Sequence, residues 1–202
     1  NVSSKPKFYR NSLCSNEELG TVCGLSKKTM CVDGKDEVYF QDTCGNIANV
    51  YDASRVKDKS YWKEIIPKSS SCGAGEDNAG SRDCGNCDYF IGSICAKGNA
   101  RYGELACRDL SCDVEINGRR VTKQNGESWC AYDGAHGNAA DLVGSRQYRH
   151  ICISGEELVE PCDDFRAKVC IESESPAGNF IEAACRPNRW KDCFVQQDED
   201  DC

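Results

Sequence analysis

The sequence predicts a small, disulfide-rich, mainly β fold built from hairpins and long loops, with one or two short helices. Three observations predict it. Seventeen cysteines fall within 202 residues, the density at which composition alone points to a disulfide scaffold. Ordinary apolar residues are scarce, because the hydrophobic share of 39% counts those cysteines. A core drawn from so little carbon is thin for this length, and covalent cross-links compensate. Two-residue Asn-Gly and Ser-Gly turns separate short runs of strand-forming residues, which is the signature of tight hairpins.

The elements follow in chain order. Thr29 to Val32, a turn around Asp33-Gly34, and Glu37 to Gln41 read as a hairpin with a longer loop. Ser60 to Ile66 predicts about two turns of helix, with Ser60 as N-cap and Pro67 just beyond. Asp113 to Ile116, Asn117-Gly118 and Arg119 to Thr122 give the clearest hairpin, since Asn-Gly supplies the positive φ angles of a type I′ turn. Asn125-Gly126 marks a turn before a strand from Glu127 to Tyr132. Tyr148 to Ile153, Ser154-Gly155 and Glu156 to Glu160 repeat the hairpin design, and Asp163 to Cys170 predicts a further turn or two of helix. The Gly- and Ser-rich stretches Ser69 to Gly80 and Asp133 to Gly144 read as loops. The organisation divides at Cys112, into a cysteine-rich module over 1–112 and a β-hairpin cysteine-rich module over 113–202.

All the cysteines are disulfide candidates: Cys14, Cys23, Cys31, Cys44, Cys72, Cys84, Cys87, Cys95, Cys107, Cys112, Cys130, Cys152, Cys162, Cys170, Cys185, Cys193 and Cys202. The number is odd, so one is unpaired or bonds to another chain. Spacing does not give connectivity. Cys84-Gly85-Asn86-Cys87 has the spacing of a redox dithiol, but Asp83 and Asp88 flank it and disfavour a thiolate. Structural pairing is the simpler reading. Cys84, Cys87, Cys107 and Cys112 also have knuckle-like spacings for zinc, against which an oxidising compartment competes.

That compartment is the extracellular space or cell surface, because the cytosol keeps thiols reduced. No basic start followed by an apolar signal region is present, and no run is long enough to span a membrane. The chain ends on Cys202 after the acidic run Asp198, Glu199, Asp200 and Asp201. It reads as a piece of a longer exported protein. The net charge of −8 argues against nucleic acid as a partner, and Lys5, Lys7 and Arg10 form a small solvated cluster.

Candidate chemistry is sparse. His150 stands two residues from Cys152, so strand alternation sends both to one face. A Cys–His nucleophile would need that thiol free. The motifs of serine hydrolases, zinc proteases and phosphate-binding loops are absent from the sequence. No catalytic residue is assigned and no enzyme activity is expected. Calcium is the candidate ion, because Asp133, Asn138 and Asp141 offer oxygen ligands in one glycine-rich loop; a polar loop capped by its own Asp and Asn side chains is the alternative. Trp62, Trp129, Trp190, Tyr132 and Tyr148 would suit a glycan-stacking platform, or else core packing.

Longer strings carry a family resemblance. CGNIANVYDASRVKDKSYWKEI (Cys44 to Ile65), SRDCGNCDYFIGSICA (Ser81 to Ala96), CRDLSC (Cys107 to Cys112), NGESWCAYDG (Asn125 to Gly134), GSRQYRHICISGEELVEPCDDFRAKVC (Gly144 to Cys170) and CRPNRWKDC (Cys185 to Cys193) resemble segments of large, cysteine-rich, extracellular or cell-surface proteins of small-genome archaea. The resemblance implies export, disulfides and membership of a longer chain. It carries no catalytic residues, because that family is uncharacterised. The expected function is therefore a non-catalytic, disulfide-stabilised module of an extracellular or cell-surface assembly, serving adhesion, a filament or a surface layer. Its expected partners are other subunits or surface proteins, with an intermolecular disulfide among the ways of joining them. The alternative is a carbohydrate- or calcium-dependent recognition module.

Overall fold

The turns decide where the strands form. The computed structural model describes residues 9–116, 118–133, 145–163 and 166–189. Over these residues the chain is mainly β, with single 3-10 turns at Glu17–Leu19, Ala53–Arg55 and Lys68–Ser70. It divides into two units, Asn1–Leu110 and Ser111–Cys202. All seven disulfides among the described residues close inside one unit or the other.

In unit 1, β1 (Lys28–Cys31), β2 (Val38–Gln41) and β3 (Ile47–Val50) form an antiparallel sheet in that order, and β4 (Ser93–Lys97) pairs with β5 (Leu105–Asp109). The predicted first hairpin forms, with Gly34 in its turn at φ 73°, a conformation glycine adopts at no steric cost. Strand β2 shows the period of two that one buried face requires. Val38 and Phe40 are fully buried while Tyr39 and Gln41 are half-buried. Phe40 meets the Tyr51 ring edge-on at 5.1 Å and the Trp62 ring at 5.0 Å. Leu13, Val56, Tyr61, Cys87 and Cys107 complete this core.

The helix expected over Ser60 to Ile66 does not form. Asp58 caps the backbone N–H of Ser60 at 2.9 Å, and single turns follow with bonds three residues apart. The chain then leaves the helical path because other groups claim its backbone. Buried Asn49 donates to the carbonyls of Tyr61 and Glu64 and accepts from the Ile66 N–H. The Ile65 N–H donates to Asn11, and Leu13 donates to Lys63, so this segment pairs with the N-terminal stretch instead.

In unit 2, β6 (Cys112–Ile116) and β7 (Arg119–Lys123) form the predicted Asn-Gly hairpin. Strands β8 (Ser128–Asp133), β9 (Arg146–Ile153) and β10 (Glu156–Pro161) form a sheet in the order β10-β9-β8, and β11 (Lys168–Glu174) pairs with β12 (Ile181–Pro187). The β9–β10 turn holds Ser154 at φ 57° and Gly155 at φ 84°, the pair of positive angles a type I′ turn demands. The helix expected over Asp163 to Cys170 is overturned at its C-terminal end. Lys168 to Cys170 belong to β11, with Cys170 opposite Cys185, because ladder pairing with β12 satisfies the backbone groups a helix would have used. Cys112 opens β6 and bonds forward to Cys152, so it falls in unit 2.

Charge divides as sharply as the fold. Residues 1–110 hold ten Lys, five Arg, nine Asp and six Glu, which balance to zero. Residues 111–202 hold three Lys, seven Arg, nine Asp and nine Glu, so the whole net charge of −8 resides in unit 2.

Candidate functional site

The cysteines singled out for redox or zinc chemistry are occupied otherwise. Cys84 is bonded to Cys72 and Cys87 to Cys107, so the two do not form a dithiol pair. Between them, Gly85 lies against the sheet: it donates to the Tyr51 carbonyl and accepts from the Val38 N–H, both at 2.8 Å. A Cβ at Gly85 would come within 2.7 Å of the Val38 Cβ. The tetrapeptide is therefore a packing device, with glycine chosen for close approach. Cys112 is bonded to Cys152, which removes the last thiolate of the zinc set and the thiol beside His150. The remaining described bonds are Cys23–Cys44, Cys31–Cys95, Cys130–Cys170 and Cys162–Cys185. Cys14 is exposed and unbonded. Cys193 and Cys202 lie outside the described residues.

His150 packs its ring 5.6 Å from that of Trp129 and holds its Nδ1 2.7 Å from Glu157 Oε1. Trp62 and Trp129 are 1% and 4% exposed, so neither offers a face to a sugar. They are core residues, and Lys123 sits 5.5 Å above the Trp129 ring. Tyr132 and Tyr148 are half-buried, and Trp190 lies outside the described residues. Of the calcium candidates, Asp133 ends β8, while Asn138 and Asp141 lie outside the described residues. Cys23, Asp42 and Cys44 cluster closely enough to hold an ion, but both sulfurs share one disulfide and carry no thiolate. The Asp42 carboxylate accepts from the backbone N–H groups of Cys44 and Asn46, which organises its own turn.

One surface feature escaped the sequence reading. Phe90 is 92% exposed and Ile91 46% exposed, on the loop that runs from buried Cys87 into β4. An apolar pair left in water gains nothing on folding, yet its loop is heavily braced. The Asp88 carbonyl accepts from the N–H groups of Ile91, Gly92 and Ser93, and the Asp88 carboxylate accepts from Phe90. The Tyr89 N–H donates to Asp36, and Tyr89 meets the Phe90 ring edge-on at 6.0 Å. Disulfides Cys87–Cys107 and Cys31–Cys95 hold the two ends.

A charge cluster supports the loop from beneath. The Lys68 ammonium lies 3.0 Å from Glu37 and 3.2 Å from Asp88, and donates to the Cys87 carbonyl. Tyr39 donates its hydroxyl to Glu37 at 2.9 Å. Burial pushes the Glu37 carboxyl up, but its own backbone N–H, Lys68 and Tyr39 outweigh burial and hold it below the usual carboxylate range. Burial likewise pulls Lys68 down, and its two carboxylate partners outweigh that and raise it. Burial first, then the bond to Glu37, raise the Tyr39 phenol. The arrangement presents a rigid aromatic tip, the kind of residue that anchors interfaces because little freedom is lost when it is buried. The sequence signal available was Tyr89-Phe90-Ile91, three large apolar residues placed in a turn before Gly92.

No helix among the described residues is long and apolar enough to cross a membrane. Comparison with family models, curated proteins and solved structures gave no match to this chain.

Proposed function

We propose that this chain is a non-catalytic, disulfide-stapled module of an extracellular or cell-surface assembly, and that the Phe90 loop is one of its contact surfaces. The observation that carries the reading is Phe90 itself, exposed to 92% on a loop whose backbone is fixed by hydrogen bonds and two disulfides. A solvent-facing aromatic on a rigid support contributes nothing to folding and a great deal to binding, since its burial against a partner costs little ordering entropy. The disulfide content supports an oxidising compartment. The resemblance to surface proteins of small-genome archaea points the same way, and so does the exposed thiol of Cys14, which is open to an intermolecular bond.

Chemical cross-linking of intact producing cells, followed by reducing and non-reducing electrophoresis, tests the reading. Surface-accessible chain in cross-linked species larger than the monomer is the expected result. An internal, reduced and monomeric chain would overturn it.

A further inference from the structure

Unit 1 is neutral overall, but its lysines are not evenly spread. A cavity of about 480 Å3 lies between β1 and the β4–β5 hairpin, and Lys27, Lys28 and Lys97 line it. A second, of about 240 Å3, is lined by Lys27, Lys57 and Lys59. The two share Lys27 in their lining, so five of the ten lysines of unit 1 border this pair of neighbouring cavities. The Cys31–Cys95 disulfide ties its walls together. Among the described residues, Glu104 is the one carboxylate of the lining. Lys59 is held by Glu17 at 2.8 Å, and Lys27 stands 5.1 Å over the Tyr102 ring. Lys28, Lys57 and Lys97 are exposed and form no ion pair with any described residue.

Like charges gathered around a concavity repel one another, and a walled cleft focuses their field on whatever enters. The chain itself contains the matching charge. Unit 2 carries the full −8, and residues 198–201, outside the described residues, read Asp-Glu-Asp-Asp. We propose that the lysine cleft of unit 1 receives the acidic run Asp198 to Asp201 of a second copy of this chain, giving a head-to-tail association. A contact between two different patches of like copies leaves a free cleft at one end and a free acidic run at the other. It therefore extends into open chains of subunits. The inference names a partner for the assembly reading above and rests on it to that extent.

Light scattering of two disulfide-intact variants of this 202-residue chain tests it. K27E with K97E inverts the cleft and keeps the acidic run; D198N, E199Q, D200N and D201N together neutralise the run and keep the cleft. Lys27 and Lys97 are exposed, and circular dichroism confirms that each variant folds. The wild-type chain is expected to associate with rising concentration, roughly tenfold more weakly in about 300 mM than in about 20 mM salt. Each variant alone is expected to stay monomeric, while an equal mixture of the two forms a capped one-to-one dimer. A wild-type chain that stays monomeric overturns the inference, as does an association that survives in both variants. So does a mixture that fails to pair, or a cleft that binds an oligouronate but not the synthetic peptide of residues 194–201. None of these results touches the cross-linking result at the cell surface, so the two readings fail separately.

Discussion

Units 1 and 2 meet the same shortage of apolar carbon in different ways. In unit 1 three large rings, Phe40, Tyr51 and Trp62, meet at the centre with the Cys87–Cys107 bond beside them, and the other disulfides pin the loops around them. Among its described residues, unit 2 has no such centre. One of its buried clusters sets Cys112 and Cys152 beside Val114 and Trp129. The other consists of Cys162, Cys170 and Ala183, with Cys130 and Cys185 packed against them. Two of its bonds, Cys112–Cys152 and Cys130–Cys170, interleave along the chain. There the cystines are the core as well as the cross-links. A buried half-cystine acts as a small apolar side chain, and the bond it makes also restricts the unfolded chain. Unit 1 would lose constraint without its disulfides. Unit 2 would lose its interior.

The largest test of this contrast is complete reduction followed by hydrogen exchange. Strands β8 to β12 are expected to lose protection entirely, while amides from Val38 to Tyr51 retain part of theirs. Simultaneous, equal loss in both units would break the comparison. Removing the single bond Cys130–Cys170 as the double alanine variant should cost about 4 kcal/mol, the loop-entropy value for its separation of 40 residues. Denaturant titration would show this loss in unit 2 alone.

Next comes Trp62→Ala, expected to cost about 3–5 kcal/mol by leaving a cavity among the rings. Exchange in unit 2 should be unchanged. Of similar or slightly smaller size is Glu127→Ala. Lys123 and Glu127 are 7% and 5% exposed, with Nζ 3.7 Å from Oε1, and Glu127 also accepts from the backbone N–H groups of Gln124 and Ile181. Truncating it strands a buried ammonium and should cost about 3 kcal/mol, read as a lower midpoint for unit 2.

A smaller effect is expected from pH. The Glu37 carboxyl is held below its usual range in the folded chain, so its contribution is complete above the ordinary carboxylate range and is lost as pH falls through the lowered value. Lys68 is raised, so its contribution is complete below the ordinary lysine value and is lost as pH rises through the higher one. Protection of the amides from Phe90 to Ser93 should accordingly be greatest across neutral pH and fall at both extremes. Phe90→Ala should do least to the fold, within about 0.5 kcal/mol of the parent in a denaturant titration, while it depletes the larger cross-linked species. A clear loss of stability would show that Phe90 packs rather than binds.

Most of the hairpins were legible because their information is local. Asn-Gly, Ser-Gly and Asp-Gly dipeptides set backbone angles by their own sterics, and three such turns sit where the sequence places them. The helix expected over Ser60 to Ile66, and the C-terminal end of that expected over Asp163 to Cys170, were misread for the opposite reason. Ser60 to Ile66 has a cap and a stop of its own, but Asn49 and Asn11, distant in sequence, take its backbone groups. Lys168 to Cys170 is drawn into a ladder by β12. Of the two readings of the aromatics, core packing holds for Trp62 and Trp129, although nothing local distinguishes them from exposed Phe90.

By itself the sequence determined the disulfide-rich β class, the reversals of the chain and the surplus of negative charge, because composition and turn chemistry need no distant partner. Only the tertiary structure decided which cysteines join, that Cys14 stands apart among those described, and that Phe90 and a lysine cleft face solvent. A bond between Cys31 and Cys95, or a cavity lined by Lys27, Lys28 and Lys97, brings together residues that the chain separates by dozens of positions. Such meetings are set by packing around Phe40, Tyr51 and Trp62 in unit 1, and around the cystines themselves in unit 2.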